Sequence, residues 1–429
     1  MTQTNAKSEV TLEIDALSYG PYGIGRLNGK AVMIPATAPG DTVVARIVES
    51  KERYSIAEVV CLATSSPQRQ TPPCPYIGSC GGCSWQHLRY DAQLKAKEQS
   101  VADALRRIGK LEGFELRPII ASTREYRYRR RIRLQCNESK RLGFFRPSSH
   151  QLVEIASCHI ASLEAERLLP PIRDWVPRLA TAIRYVEIVA GDEPNQTVIV
   201  AGGAGAFVRD DETLCRAFLE ENSCVTGMIM RGRDWRHTWG RTAVSVITED
   251  GVCLKIDGDV FTQVNGDGNR RLLNELLCAG QFGSEDRVLE LYCGAGNFTL
   301  SIARRSREIV AVEASRASID NGKRSAQLHG IENIRWISAD VPAAVKRLKN
   351  RRERFTKIVL DPPRPGAPGI QADLAALGAE KVLYVSCNPA TLARDLSALS
   401  KNGYKLQWAQ PVDLFPHTFH VETLALMTQ

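Results

Sequence analysis

Three cysteines lie close together in the segment "CPYIGSCGGC", residues 74 to 83. They are Cys74, Cys80 and Cys83, and the neighbouring Gly81 and Gly82 allow the chain to turn tightly around a bound group. Three thiols are one too few to close a metal site, so a fourth ligand must come from elsewhere. Four thiolates suit either zinc or a [4Fe–4S] cluster, and the spacing alone favours neither strongly.

A second group of reactive side chains follows successive apolar runs in the C-terminal third. The segment "RVLELYCGAGNFTL" predicts a strand, a glycine turn beginning at Gly294, and a helix. Glu313 ends the next strand, 19 residues later (313 − 294), where a carboxylate can accept hydrogen bonds from a ribose. Asp340, Asp361 and Cys387 end the following three strands. Three acids and a thiol at one sheet edge suit a cationic nucleoside such as S-adenosylmethionine.

The elements that must position these groups fall into three regions. Residues 8–66 contain short strands and many glycines, which predicts a small β-barrel. Residues 72–255 predict a mixed central domain, with a helix near 90–110 that could pack on the catalytic domain. Residues 256–429 alternate strands with helices, the pattern of a parallel sheet. The expected fold class is therefore multidomain α/β.

The bulk composition is that of a folded protein of two or three domains. The chain has 429 residues, 43% of them hydrophobic and 24% charged. No apolar run is long enough to span a membrane, and the first residues do not resemble a signal peptide, so we expect a cytoplasmic protein. Its 12 cysteines should then be mostly reduced thiols. The net charge of +8 suits a polyanion but does not by itself identify one.

Local charge is concentrated in "REYRYRRRIR", residues 124 to 133, which holds six arginines. Tyr126 and Tyr128 alternate with these arginines. Guanidinium groups bind phosphates and tyrosine rings stack on unpaired bases, so the pattern predicts an RNA contact. A solvated charged face is the alternative interpretation.

Several segments resemble the successive motifs of the bacterial RNA uracil-C5 methyltransferases. They are "FTQVN" (261–265), "LELYCGAGNFTL" (289–300), "DPPRPG" (361–366), "SCNPATLARD" (386–395) and "FPHTFHVET" (415–423). "CPYIGSCGGC" resembles the iron–sulfur motif of the family's ribosomal branch, and the N-terminal region resembles a TRAM domain, a small OB-like RNA-binding barrel. The resemblance implies a class I (Rossmann-like) methyltransferase domain at residues 256–429 and an iron–sulfur site in the central domain.

The resemblance also implies roles for individual residues. Cys387 would be the nucleophile that adds to C6 of uracil, and Glu422 the base that removes the C5 proton. In this family the last strand runs antiparallel to its neighbours, which would bring Glu422 to the edge where Cys387 lies. The residues implied to bind the cofactor are Gln263, Tyr292, Gly294, Asn297, Glu313, Asp340 and Asp361.

Cys158, in "IASCHI", matches the family's distant fourth cluster ligand, and Cys136 is the rival candidate. Resemblance favours a [4Fe–4S] cluster, held by Cys74, Cys80, Cys83 and Cys158, over zinc. Methyl transfer needs no redox step, so the cluster's expected role is structural.

The expected activity is methyl transfer from S-adenosylmethionine to C5 of a uridine in large-subunit (23S) rRNA. The alternatives are the same reaction on tRNA and a catalytically idle RNA-binding factor. "DPPRPG" lacks the further cysteine of cytosine-C5 enzymes and carries Arg364 where amino-group methyltransferases place an aromatic residue. We expect RNA as the partner, no DNA or membrane, and a monomer.

Overall fold

The N-terminal region is a closed barrel of five strands in the order β1-β2-β3-β5-β4. The computed structural model of the chain describes residues 9–429, so Ser8, the first residue of the predicted barrel domain, lies outside the described part. Alternate residues of the strands point inward and form a small core that includes Leu12, Ile34 and Val43. The predicted barrel is confirmed. Its strands are β1 Glu9–Leu17, β2 Tyr22–Leu27, β3 Lys30–Pro35, β4 Thr42–Ser50 and β5 Tyr54–Thr64.

A helical segment follows the cysteine-rich loop and leads into the central domain. Helix α1 (Tyr90–Asp103) continues into a π-helical turn (Ala104–Ile108), and the short strand β6 is Glu115–Leu116. Val101 and Leu105 of this segment are fully buried in the core of the C-terminal domain. Strand β6 joins the C-terminal sheet as its last strand.

The central domain is built on a seven-stranded sheet in the order β13-β12-β11-β10-β7-β8-β9. One face packs on a core that contains Ile132, Ile188 and Met230. Its strands are β7 Arg131–Cys136, β8 Leu142–Phe145, β9 Leu152–Glu154, β10 Ile183–Ala190, β11 Thr197–Gly203, β12 Val225–Arg231 and β13 Arg236–Gly240. The helices are α2 Leu163–Arg167, α3 Leu169–Trp175, the 3-10 turn Val176–Arg178 and α4 Asp211–Glu221.

A hairpin of β14 (Ala243–Ile247) and β15 (Cys253–Asp257) connects the central and C-terminal domains. Leu254 and Ile256 of the hairpin pack in one cluster with Ala295 and Leu300 of the C-terminal domain. The predicted domain boundary at residue 256 thus falls inside β15, and the hairpin before it already contacts the C-terminal domain.

The C-terminal domain is an eight-stranded sheet with helices on both faces, in the order β18-β17-β16-β19-β20-β22-β21-β6. Strands β16 to β20 are parallel, and β22 runs antiparallel to both β20 and β21. This is the predicted Rossmann-like arrangement with an antiparallel last strand. The strands are β16 Arg287–Leu291, β17 Glu308–Glu313, β18 Ile334–Ser338, β19 Lys357–Leu360, β20 Lys381–Ser386, β21 Lys405–Val412 and β22 Glu422–Thr428. The helices are α5 Gly266–Gly280, α6 Thr299–Ala303, α7 Arg316–Leu328, α8 Val341–Asn350, α9 Gln371–Ala375 and α10 Pro389–Ser400.

Across residues 9–429, none of the helices combines the length and the apolar character that a membrane crossing requires.

Candidate active site

Cys387 and Glu422 meet at the carboxyl edge of the C-terminal sheet. Cys387 directly follows β20, and Glu422 is the first residue of β22. These two strands are antiparallel, with Ser386 opposite Thr423, so the next pair along the ladder brings Cys387 opposite Glu422. Asn388 caps helix α10 through its side chain, which accepts hydrogen bonds from Ala390 N–H (3.0 Å) and Thr391 N–H (3.4 Å). The thiol therefore lies on a short turn between a buried strand and a helix.

The electrostatics of this edge are dominated by buried acids. Burial, with contributions from the charges of Glu422 and Asp361, raises the pKa of the Cys387 thiol to about 11, while the positive charge of Arg364 opposes this shift. Glu422 is only 3% exposed, and burial, followed by the charge of Asp361, raises its pKa well above the usual range. Burial also raises the pKa of Asp361. Burial thus favours the neutral, protonated forms of Cys387, Asp361 and Glu422.

The N-terminal barrel also reaches this edge. The Tyr19 hydroxyl, in the turn between β1 and β2, donates a hydrogen bond of 2.7 Å to the carbonyl oxygen of Cys387. Its ring contacts Phe419 edge-to-face, with centroids 5.6 Å apart. Burial, and then the charge of Cys387, raises the pKa of Tyr19, so the hydroxyl stays protonated and serves as a donor.

The loop that leads into Glu422 is fixed by the segment around α1. The Lys97 ammonium donates to a carboxylate oxygen of Asp413 at 2.6 Å, and both side chains are fully buried. His417 has a left-handed backbone (φ 65°), which costs free energy unless neighbours stabilise it. The Gln93 side chain accepts a hydrogen bond from the backbone N–H of His417 (2.8 Å) and donates one to His417 Nδ1 (3.1 Å). The backbone N–H of Trp85 donates to the carbonyl of His417 (2.9 Å).

The glycine turn after β16 lies beside this edge. Gly294 and Gly296 have φ values of 55° and 93°, in the left-handed region that favours glycine. Glu313 accepts hydrogen bonds from Gly294 N–H (3.1 Å) and Ser315 N–H (2.7 Å), so the acid predicted to bind a ribose lies directly against the turn. Burial, together with the charges of Asp340, Asp395 and Glu313, raises the pKa of Tyr292 to about 12.

The remaining residues predicted to bind the cofactor lie in loops between the strands and helices of the C-terminal domain. Asn297 exchanges two side-chain hydrogen bonds with Asn269 of α5, at 2.8 and 2.9 Å. Asp340 caps α8 by accepting from Ala343 N–H at 3.3 Å. Gln263 accepts a hydrogen bond of 2.8 Å from Arg130 Nε through its backbone carbonyl, and its side-chain amide has no hydrogen-bond partner within residues 9–429.

Comparisons with known proteins agree with this geometry. The family model "tRNA (Uracil-5-)-methyltransferase" matches residues 243–429, and the TRAM domain model matches residues 3–60. The 23S rRNA (uracil(1939)-C(5))-methyltransferase RlmD of Aeromonas salmonicida is 34% identical over 432 residues, which cover 98% of this chain and 96% of the relative. RlmD of Klebsiella pneumoniae (strain 342) is 32% identical over 424 residues, which cover 97% of this chain and 95% of the relative.

The chain belongs to the RNA uracil-C5 methyltransferase family. Its fold is also that of the tRNA (uracil-54, C5)-methyltransferase of Pyrococcus abyssi, solved with S-adenosyl-L-homocysteine. The TM-score is 0.75 at 21% identity, and the match covers 99% of this chain and 100% of that one.

In this methyltransferase, four of the predicted thiols line one cavity of about 190 Å³: Cys74, Cys80, Cys83 and Cys158. Burial raises the pKa of Cys83 to about 12. The charges of the other three thiols reinforce this shift, and a hydrogen bond from Gln86 opposes it. The rival candidate Cys136 is half-buried on β7, where its thiol donates to the Asn137 carbonyl, and it is not among the described residues that line the cavity.

Only part of the arginine run lies at the surface, where the side chains of Arg124 and Arg133 are 66% and 47% exposed. Tyr128 is 6% exposed and donates to the Pro416 carbonyl (3.1 Å), so it cannot stack on a base. Tyr126 stacks on the buried His417 ring at 4.2 Å. Arg130 is 5% exposed and pairs with Asp192. The alternation of the run places these side chains in the interface between the central and catalytic domains, where they tie segments together.

Sequence reasoning missed three residues of the methyltransferase site. Tyr19 lies in a different domain, and no local pattern links it to Cys387. Arg364 differs from the aromatic residue of amino-group methyltransferases, but the sequence does not show that its charge acts on Cys387. Glu290 precedes the glycine turn, is 2% exposed, and leaves Oε2 without a hydrogen-bond partner among the described residues. Its position inside "LELYCG" was the one signal that could have identified it.

Proposed function

We propose that this protein transfers a methyl group from S-adenosylmethionine to C5 of a uridine in large-subunit rRNA. The observation that carries the proposal is the β20–β22 ladder, which sets a thiol opposite a buried carboxyl group beside the glycine turn. The rRNA target rests on the relatives, which are named for uracil 1939 of 23S rRNA and match the chain over nearly its whole length.

The chemistry requires one nucleophile and one base. C5 of uracil is a poor nucleophile until a thiolate adds to C6 and places enolate charge over C5 and O4. C5 then attacks the methyl carbon, and the sulfonium leaves as a neutral thioether. Removal of the C5 proton by Glu422 restores the double bond as the bond between the Cys387 sulfur and C6 breaks. Because the target base must reach a thiol at a sheet edge, it has to leave its stack.

The charges of the edge suit this sequence of events. The donor molecule carries a sulfonium and an ammonium, and its arrival beside Asp361 and Glu313 adds positive charge near Cys387. An opposite charge within a few ångströms lowers the pKa of a thiol or carboxyl group. Binding of the methyl donor would therefore favour the thiolate form of Cys387 and the carboxylate form of Glu422.

The decisive experiment is a Glu422→Gln variant incubated with RNA and methyl-labelled S-adenosylmethionine. The amide cannot accept the C5 proton, so RNA should stay bonded to Cys387 with the methyl already on C5. A denaturing gel should show a slow, labelled band of protein and RNA. Glu285→Gln, an exposed control, should turn over normally without this band.

Cys387→Ala should abolish both the band and the methylation, whereas the exposed Cys278→Ala control should keep both. Full turnover by Glu422→Gln, or a band that survives Cys387→Ala, would contradict the assignment. Mapping 5-methyluridine in RNA from cells with and without the protein tests the target. Loss of the mark from tRNA alone would overturn the rRNA assignment.

We further propose that Cys74, Cys80, Cys83 and Cys158 hold a [4Fe–4S] cluster with a structural role. The shared cavity supports a four-thiolate site. Within residues 9–429, no three His, Cys, Asp or Glu side chains are arranged as a group that could hold a metal ion, so the proposal rests on the shared cavity and on the resemblance of "CPYIGSCGGC" to the family's iron–sulfur motif.

The test of the cluster is iron and sulfide analysis of protein purified without oxygen. Cys158→Ser should lose iron and the brown colour, and Cys136→Ser should keep both. Zinc in stoichiometric amount, with no iron, in the folded parent protein would overturn the proposal.

A further inference from the structure

One face of the central sheet carries three exposed arginines. Residues on the opposite face, such as Ile132 and Met230, pack on the domain core. Because side chains alternate along a strand, Arg133 of β7, Arg231 of β12 and Arg236 of β13 project from the other face. Their side chains are 47%, 39% and 44% exposed, respectively. We call these three residues the arginine platform.

The acids that pair with the platform are largely shielded from solvent. Glu187, 5% exposed, accepts from Arg133 Nε at 2.5 Å. Asp259, 11% exposed, accepts from Arg236 Nε at 2.9 Å and Nη2 at 3.1 Å, and it lies 3.9 Å from Arg231 Nη1. A guanidinium has five N–H donors, so each arginine keeps donors that face solvent. The outer surface is therefore cationic although the carboxylates are close.

Tyr185 holds two of the platform arginines in place. Its hydroxyl accepts from Arg231 Nε (3.3 Å) and Nη2 (3.2 Å), and the Arg133 guanidinium lies 4.3 Å from the ring centroid. The ring lies so close to Gly202 that a Cβ there would come within 2.1 Å of it. The glycine thus allows the ring to lie flat on the sheet. Pre-positioned arginines lose less side-chain freedom when an anion binds.

The platform is continuous with the loop that reaches the cofactor site. Asp259, which anchors Arg236, is followed by Val260, whose carbonyl accepts from Arg131 Nη1 at 2.6 Å. The next residue, Phe261, is 68% exposed and begins the segment that contains Gln263. A polymer bound at the active site that extends past Phe261 therefore meets the platform.

We propose that the arginine platform binds phosphate groups of the RNA strand that flanks the target uridine, and this inference rests on the proposed function. Arginine forks match phosphate oxygens, and a row of fixed forks on a sheet suits a phosphodiester backbone. This surface, which includes Arg133 from the end of the run at 124–133, would then supply the electrostatic contact with RNA.

The test replaces Arg133, Arg231 and Arg236 together with glutamine. The matched control replaces Arg141, Arg216 and Arg316, which also pair with carboxylates, but with carboxylates that are 52%, 44% and 50% exposed. Both triple variants lower the net charge from +8 to +5 (8 − 3). Any difference between them therefore reports position and not total charge.

Binding of an unmodified 23S rRNA fragment is measured at several salt concentrations. Each phosphate contact contributes about 0.7 to the slope of log affinity against log salt for a single strand, so three lost contacts should reduce the slope by about 2. The platform variant should also show a raised KM for RNA at unchanged kcat. The control variant should keep the parent slope. Equal slopes in the two variants would overturn the proposal.

An Arg→Lys triple variant separates charge from folding. Lysine keeps the positive charge, so it should restore most of the salt slope that glutamine removes. A slope that stays low with lysine, accompanied by a lowered unfolding temperature, would show that the arginines only stabilise the sheet and would overturn the proposal. The Glu422→Gln test keeps the platform intact and the platform test keeps Glu422 intact, so failure of the platform and failure of the proposed reaction are distinguishable.

Discussion

Replacing Lys97 with methionine should strongly destabilise the catalytic loop. The Lys97 ammonium and the Asp413 carboxylate are both fully buried and 2.6 Å apart. Asp413 also accepts from the Tyr90 hydroxyl (2.9 Å) and from Phe415 N–H (3.0 Å), and Lys97 donates to the Phe415 carbonyl (3.0 Å). Methionine fills a similar volume but leaves a buried carboxylate without its counter-ion and a carbonyl without its donor.

Breaking a buried pair by removing one partner costs about 3–5 kcal/mol, because the remaining charge is uncompensated. The natural comparison is Lys349, which pairs with Asp373 at 2.5 Å on the surface, where the two side chains are 44% and 26% exposed. Exposed pairs contribute about 0–1 kcal/mol. Lys349→Met should therefore cost several-fold less than Lys97→Met, although both remove one lysine from one carboxylate.

Urea unfolding of parent, Lys97→Met, Asp413→Asn and the double variant forms the assay. The double variant should be more stable than Lys97→Met alone, because the amide introduced by Asp413→Asn carries no charge that needs a partner. Methylation by Lys97→Met should fall as well, since Asp413 anchors the loop that ends at Glu422. Equal costs for Lys97→Met and Lys349→Met, or additive single costs in the double variant, would refute the reasoning.

Further predictions concern the thiol and the acids around it. Tyr19→Phe keeps the ring on Phe419 but removes the hydrogen-bond donor to the Cys387 carbonyl, so formation of the covalent adduct with RNA should slow. Tyr22→Phe, in the same barrel, should leave this rate unchanged, and equal rates in the two variants would contradict the prediction. Arg364→Gln removes the charge that lowers the pKa of Cys387, so alkylation of Cys387 should require higher pH than in the parent, and an unchanged pH profile would argue against the contact. Burial raises the pKa of Glu290 to about 8, whereas the unfolded carboxyl group titrates near 4.3. Its contribution to stability is thus present below about pH 4.3 and lost as pH rises through 8. Glu290→Gln should therefore unfold at a higher urea concentration than the parent at pH 9, and this difference in stability should disappear near pH 5.

The parallel sheet of the catalytic domain was predictable because its signals are local. Each strand is a short apolar run that ends in a residue with chemistry, such as Glu313, Asp361 or Cys387. Parallel strands present their carboxyl ends at one edge, so the pattern placed these residues together before any coordinates. The position of Glu422 was harder to predict, because it depends on the direction of the last strand. That direction came from resemblance to a family and not from the residues.

The arginine run shows why charge patterns are weaker evidence. Guanidinium groups bind phosphates and carboxylates equally well, and the sequence does not show which anion is nearby. Asp192 and Glu166 lie 62 and 39 residues from their partners Arg130 and Arg127. Only tertiary structure reveals that these arginines are already occupied. Arg231 and Arg236 also lie beside a carboxylate, that of Asp259, but their side chains remain 39% and 44% exposed.

Hydrogen bonds from the barrel and from the segment before the central sheet reach the sheet edge that carries Cys387 and Glu422. Trp85 lies two residues after Cys83, and its backbone N–H donates to the carbonyl of His417 at 2.9 Å. Gln93 holds the same residue from α1, and Tyr19 of the barrel holds the carbonyl of Cys387. The sheet edge supplies Cys387, and residues outside the C-terminal domain hold the backbone of the left-handed His417. The proposed cluster would hold residues 74–83 and, through Trp85, would help to fix His417 in the loop that leads into Glu422.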